Sequence, residues 1–146
     1  MQSLRRDGVN LFYEETAGGD PPILFVHGWC CDHTYFAPQF ERYAERGHRV
    51  VAVDLRGHGK SDKPEGSYAM QGLQDYDPDT VGSPEVPGVY VAADEAQPRS
   101  DMSRFHEMFP DILCGKTVGS GHFCQLEVPE QINAMIDRFL TLMLPR

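Results

Sequence analysis

Two short segments carry most of the chemistry this chain can offer. The apolar run Ile23-Leu-Phe-Val26 ends in His27-Gly28-Trp29, and Val118 leads into Gly119-Ser-Gly-His122-Phe123. A glycine at the carboxyl end of a buried strand lets the backbone turn so that amide N–H groups face a cleft. There they can stabilise the oxyanion of an acyl-transfer intermediate. Gly28 fits a plain tight turn equally well. A nucleophile is harder to place. No G-x-S-x-G, the sequence that builds a strained strand-to-helix turn presenting a serine, occurs in the 146 residues. Ser83 and Ser120 are glycine-flanked hydroxyls, but a hydroxyl is a weak nucleophile without a base in hydrogen-bond reach. Ser120 stands two residues from His122, a separation that rarely lets one side chain attack while the other abstracts. Cys31 and Cys114 are weaker candidates, although a thiol needs less activation. Cys30 and Cys31 are adjacent, Cys114 and Cys124 are not spaced C-x-x-C, and the six histidines form no H-E-x-x-H. No metal site and no cofactor are expected.

Elements of alternating strand and helix character must position these residues. Val9–Glu15 partly alternates apolar and polar residues, as a half-exposed strand does. Gly18-Gly-Asp-Pro-Pro22 is strong turn chemistry. Ile23–Val26 is continuously apolar, which predicts a strand covered on both faces. Phe36, Phe40, Tyr43 and Ala44 fall at helical spacing, and Gly47 suits the position just past a helix end. Arg49–Val53 is a second buried strand, so this stretch reads as a strand-helix-strand unit with parallel strands. Residues 63–87 are rich in proline and glycine with little periodicity. Val89–Ala93 is then a third strand. A helix capped by Ser100 or Asp101 carries Met102, Phe105, Met108 and Phe109 inward, and Asp111–Val118 is a fourth strand. Pro129 suits the first turn of a last helix whose stripe is Ile132, Met135, Ile136, Phe139, Leu140 and Met143.

Bulk properties narrow the function classes. A net charge of −9 with scattered basic residues argues against nucleic-acid or anionic-membrane surfaces. No apolar run approaches the roughly 20 residues that span a bilayer. Met1–Asp7 has no apolar core of a secretory signal. A cytoplasmic protein is expected.

Three segments together resemble the α/β-hydrolase fold family, of the carboxylesterase or lactonase kind. They are Ile23–Cys31, Asp54-Leu-Arg-Gly-His-Gly-Lys-Ser61, and Val118–Cys124 with Gln125-Leu-Glu-Val-Pro-Glu130 behind it. The resemblance covers residues 9–73 and 86–142. It implies an α/β fold, a shortened and mostly parallel sheet with helices on both faces. The expected domain is single, 1–146, with a first sheet half at 1–73, a shortened connection at 74–86 and a second half at 87–146. It also implies that Trp29 N–H and Gly28 form an oxyanion hole, with His27 and Phe123 lining a binding site and His122 as general base. Asp94 is the best match for the acid, although a solvated loop acid fits that position too. Asp75 and Asp77 are fallbacks, and Gln97 stands where the family usually has a carboxylate. The Asp54–Ser61 loop takes a structural role in this comparison, so Ser61 is not the nucleophile. The departure is the middle. Tyr68–Leu73 resembles the start of the helix before the nucleophile strand, and Gln74–Asp79 resembles chain beyond the lid. The expected function is hydrolysis of small carboxylic esters or lactones, weakly, by a minimal hydrolase without its elbow. The alternative is a non-catalytic remnant or minimal scaffold that binds a small apolar ligand or a protein partner. Strand Ile23–Val26, left beside the missing strands, predicts a homo-oligomer, a dimer first of all.

Overall fold

The apolar runs at 23–26 and 48–53 pair as parallel neighbours, and this pairing organises the first half of the chain. A computed structural model describes residues 2–6, 8–28, 30–65, 87–95 and 102–143. They fall in two compact units, Met1–Tyr68 and Ala69–Arg146. The first unit contains β1 (Ser3–Arg6), β2 (Val9–Glu15), β3 (Gly19–Val26), a 3-10 turn (His33–Phe36), α1 (Ala37–Glu45) and β4 (His48–Val53). Its sheet has the order β1-β2-β4-β3. β2 runs antiparallel to β4, and β3 runs parallel to it with Ile23 opposite Val50 and Val26 opposite Val53. A parallel pair needs a crossover, and α1 supplies it.

The core of this unit lies where α1 meets β4 and β3. Val50, Ala52, Tyr43 and Gln39 are fully buried or nearly so. Phe25 stacks on Phe36 at 5.0 Å between ring centroids and tilts against Tyr43 at 6.5 Å. Gly47, just past α1, has φ +85°, which a glycine adopts without strain. One expectation needs correction, and one strand was not expected. β3 is not covered on both faces: Phe25 is buried, but Leu24 is 62% exposed and Val26 50% exposed. Successive side chains of a strand point to opposite faces, and the face carrying Leu24 and Val26 is exposed, as in a half-buried strand. The strand β1 has no signal in Ser3-Leu-Arg-Arg6, every residue of which is exposed. It exists because Ser3–Arg6 pair along Val9–Phe12 of β2.

The second unit contains β5 (Val89–Ala92), α2 (Met102–Met108), β6 (Leu113–Lys116), the short helix α3 (Cys124–Glu127) and α4 (Pro129–Met143). β5 and β6 pair in parallel from Val89–Leu113 to Ala92–Lys116. Tyr90 stacks on Phe105 at 4.2 Å, and Phe105 tilts against Phe109 at 5.0 Å, which seats α2. Ile132 and Ile136 are the buried residues of α4, whereas Leu142 and Met143 are exposed. The burying stripe is therefore narrower than its six apolar positions suggest. Gly115 lets α4 approach β6, because a Cβ there would lie 2.8 Å from Met135 Sδ. Among the described residues no helix is long and apolar enough to cross a membrane.

Candidate active site

β3 delivers His27 and Gly28 to its carboxyl end. The Cys31 N–H donates to Gly28 O at 3.3 Å, closing a four-residue turn. Its third residue, Cys30, has φ +60°, a left-handed conformation usually left to glycine. Trp29, the expected oxyanion donor, lies outside the described residues. Gly28 has open space where a Cβ would be, so its small size leaves that side of the turn clear. His27 is 4% exposed. Its Nε2 accepts the Leu55 N–H at 2.9 Å, so Nδ1 carries the proton and donates to Gly28 O at 2.7 Å. Both ring nitrogens are thus used in joining β3 to the loop after β4, and none is left for a ligand.

That loop is built around Asp54. Its carboxylate, fully buried, accepts the His33 amide N–H at 2.7 Å, the His33 Nδ1–H at 2.8 Å and the Lys60 amide N–H at 2.8 Å. Burial alone would raise the Asp54 pKa, but the Lys60 and His33 hydrogen bonds outweigh it and hold the carboxyl below its ordinary value. Gly59 is required there. Its φ is +48°, and a Cβ would lie 2.1 Å from Asp54 Oδ2. Ser61 is buried, donates to Asp54 O at 2.6 Å and accepts the Phe12 N–H at 2.8 Å, so it ties the loop to β2. Asp32, His33 and Asp54 bring ligand-type atoms within 4.8 Å of one another. Both Asp54 oxygens already accept N–H groups, and Asp32 Oδ1 accepts from Thr34 N–H and Oγ1. This is the hydrogen-bonding of a folded turn, and a cation would have to displace those protons.

In the second unit the expected acid and base stand on adjoining loops. Asp94 follows β5. Its Oδ2 accepts the Gly119 N–H at 2.9 Å, and its Oδ1 pairs with Lys116 Nζ at 3.0 Å. The Gly119 amide first, and Lys116 second, lower its pKa. Asp94 therefore grips the backbone of the histidine loop and makes no hydrogen bond to the His122 imidazole. His122 is exposed, with its ring edge-on to Phe123 at 4.8 Å. Among the described residues its nitrogens have no hydrogen-bond partner, which leaves them free to meet a water or a substrate. Phe123 is 37% exposed beside it.

Ser120, left open as a substitute nucleophile, is 2% exposed. Its Oγ accepts the Asp94 N–H at 3.1 Å and lies 2.6 Å from Thr117 Oγ1, which donates to Ala92 O at 3.3 Å. The Ser120 hydroxyl thus donates into this chain and holds the unit's interior together. Cys31 is also buried, and burial, with Cys30 and Asp32 nearby, pushes its thiol up and away from nucleophilic character. Cys114 is exposed. Ser83, Asp75, Asp77, Gln97 and the capping candidates Ser100 and Asp101 lie outside the described residues. Sequence reasoning missed two side chains that touch the histidine loop, Glu127 and Gln131. The only trace of them was their place just behind that loop, Glu127 before the last helix and Gln131 in its first turn.

Comparison with known proteins shows what the chain resembles. The α/β-hydrolase fold model matches residues 21–83, which include the His27-Gly28 turn and the Asp54–Ser61 loop. That match covers less than half of the chain, which resembles the α/β-hydrolase fold there. The chain is 44% identical over 67 residues to the AB hydrolase superfamily protein YisY of Bacillus subtilis, a match covering 46% of this chain and 25% of that protein. A non-heme chloroperoxidase of Streptomyces lividans is 38% identical over 65 residues, 44% of this chain and 24% of that protein. The matched stretch thus spans about a quarter of these curated relatives. Two solved structures share the fold along nearly the whole chain. Est816, described as an N-acyl homoserine lactone degrading enzyme, has a TM-score of 0.71 at 17% identity, covering 94% of this chain and 100% of that one. A thermophilic esterase from Thermogutta terrifontis has a TM-score of 0.69 at 15% identity, covering 97% and 98%.

Proposed function

We propose that this protein cleaves small carboxylic esters or lactones, slowly, with His122 acting as general base on a water molecule. The observation that carries the reading is His122 itself, exposed and unpartnered on a loop whose neighbours are all engaged. In the proposed reaction the imidazole takes a proton from water as its oxygen attacks the acyl carbon. The carbonyl oxygen becomes the oxyanion of a tetrahedral intermediate. Collapse expels the alkoxide, which takes the proton back from the imidazolium. Asp94 serves this chemistry through Gly119 rather than as the acid of a triad. Without an elbow serine the scale is the residual acceleration of roughly 10³–10⁴ over water left when a triad is disabled.

The test is hydrolysis of a chromogenic short-chain ester by pure protein. His122→Ala is expected to remove the activity, and a fluorophosphonate probe is expected to leave the protein unlabelled. Rapid stoichiometric labelling of one serine would overturn the water mechanism and point to Ser83 or another replacement. Activity that survives His122→Ala would overturn the role of the histidine.

A second reading rests on β3. Leu24 and Val26 are apolar and exposed on the last strand of the sheet, which suits a surface that another chain covers. On this reading the protein is a dimer, or a scaffold that binds a partner or a small apolar ligand, in the cytoplasm.

A further inference from the structure

The loop that carries His122 is gripped from both sides by one carboxylate. Glu127 Oε2 accepts the Gly121 N–H at 2.6 Å, and Glu127 Oε1 accepts the Phe123 N–H at 2.9 Å. These are the amides immediately before and after the histidine. One turn into α4, the Gln131 side chain makes a two-point bond to a single peptide residue: the Val118 N–H donates to Oε1 at 2.8 Å, and Nε2 donates to Val118 O at 2.9 Å. With Asp94 on Gly119 and the Ser120 hydroxyl buried in the interior, every residue from Val118 to Phe123 except His122 is held through its backbone or side chain.

A helix cap alone does not account for this pattern. A side chain that only capped α3 would take the Phe123 amide at the helix start, in the manner of a capping box. Glu127 also reaches the Gly121 amide, which lies outside the helix and on the far side of the histidine. The spacing at Gly121 is fitted to it, because a Cβ there would lie 2.9 Å from Glu127 Oε2 and 3.1 Å from Oε1. Hydrogen bonds to an ionised acceptor are the shorter and stronger kind, and two of them on one rigid carboxylate fix the orientation of two peptide planes. Side chains that act on a reacting group need such support to stay within a fraction of an ångström of a productive geometry.

We propose that Glu127 is a positioning residue for His122, seconded by Gln131, and that the pair sets where the imidazole stands relative to the body of its unit. The inference rests on the reading of His122 as the working base, but the clamp is measurable without turnover. Amide hydrogen exchange by nuclear magnetic resonance reads the Gly121 and Phe123 protons directly. Ester hydrolysis reads kcat and KM separately. Glu127→Ala is expected to speed exchange at both amides at least ten-fold, while the Ile136 amide in α4 keeps its wild-type rate. It is expected to lower kcat about ten-fold at an unchanged KM. Glu127→Gln keeps one acceptor oxygen and presents an N–H₂ group to the second amide, so it should fall between wild type and the alanine variant. Gly121→Ala attacks the same contact from the other partner by displacing the carboxylate, and should reproduce the loop signature with residue 127 intact. Unchanged exchange at Gly121 and Phe123 in Glu127→Ala would overturn the clamp. Faster exchange with an unchanged kcat would overturn the positioning role. If the wild-type protein shows no hydrolysis that depends on His122, the catalytic reading fails, and exchange together with the line width of the His122 Cε1 proton decides the inference. One sharp line in wild type that broadens or splits in Glu127→Ala supports it, and an identical line in both refutes it.

Discussion

Replacing Asp54 should cost the first unit more than any other polar substitution in it, and the structure sets the size of the loss. Three N–H groups converge on this fully buried carboxylate: the His33 amide, the His33 ring and the Lys60 amide, at 2.7–2.8 Å. Asp54→Ala leaves all three pointing at an apolar methyl. Each buried donor left without an acceptor costs about 1–3 kcal/mol before the loop relaxes. Against a net stability of about 5–15 kcal/mol for a typical domain, the variant sits at the margin of folding. Asp54→Asn keeps the shape but turns one acceptor into a donor facing a donor, which places it at about 1–3 kcal/mol. The pH dependence has a definite sign. Because the hydrogen bonds depress the folded pKa of Asp54, its contribution is fully present above the unfolded carboxyl pKa of about 3.9. It is lost as the pH falls through the lower folded value. Wild type should therefore lose stability below about pH 4 more steeply than Asp54→Asn. Denaturant unfolding followed by the fluorescence of Trp29, the single tryptophan, measures both effects. A loss below about 1 kcal/mol in Asp54→Ala, less than one ordinary buried hydrogen bond, would refute the view that this carboxylate organises the loop.

Three further outcomes follow from packing and charge. Ile136→Asp puts an unpaired carboxylate at one of the two buried positions of α4 and should leave the second unit molten, whereas a cooperative, near-native melt by circular dichroism would show the helix undocked. Ser120→Ala should lower stability by about 1–3 kcal/mol, because it strands the Asp94 amide and removes the hydroxyl bonded to Thr117, and should leave probe labelling unchanged; a nucleophilic Ser120 would do the reverse. Light scattering should show a dimer that Leu24→Lys converts to monomer, since a charge on an exposed edge strand blocks pairing. A clean wild-type monomer across micromolar concentrations would remove that proposal.

Local pattern was enough to read the strands at 9–15, 23–26 and 49–53, the helix between the last two, and the β5-α2-β6 and α4 elements behind them. Each is announced by a periodicity of two or of 3.6 within a dozen residues, and the His27-Gly28 turn and the Asp54–Ser61 loop carry residues specific enough to name a family. What no local pattern contains is which polar side chain meets which distant amide. Asp54 meets His33 across 21 residues and Asp94 meets Gly119 across 25, and in each case the partner is a backbone N–H, which every residue type but proline supplies. Contacts of this kind use both ring nitrogens of His27, expected to line a binding site, in joining β3 to the next loop, draw Asp94 to the histidine loop rather than to the imidazole, and bury the Ser120 hydroxyl. β1 is the same lesson in a sheet, because four exposed residues with no alternation become a strand when β2 offers them a ladder. Sequence alone determined every element but β1 and the short α3 in outline, and the family resemblance, since periodicity and turn chemistry are properties of neighbouring residues. Tertiary structure alone decided which side chains stay free to react, since that depends on where the unpaired N–H groups of the folded backbone come to lie.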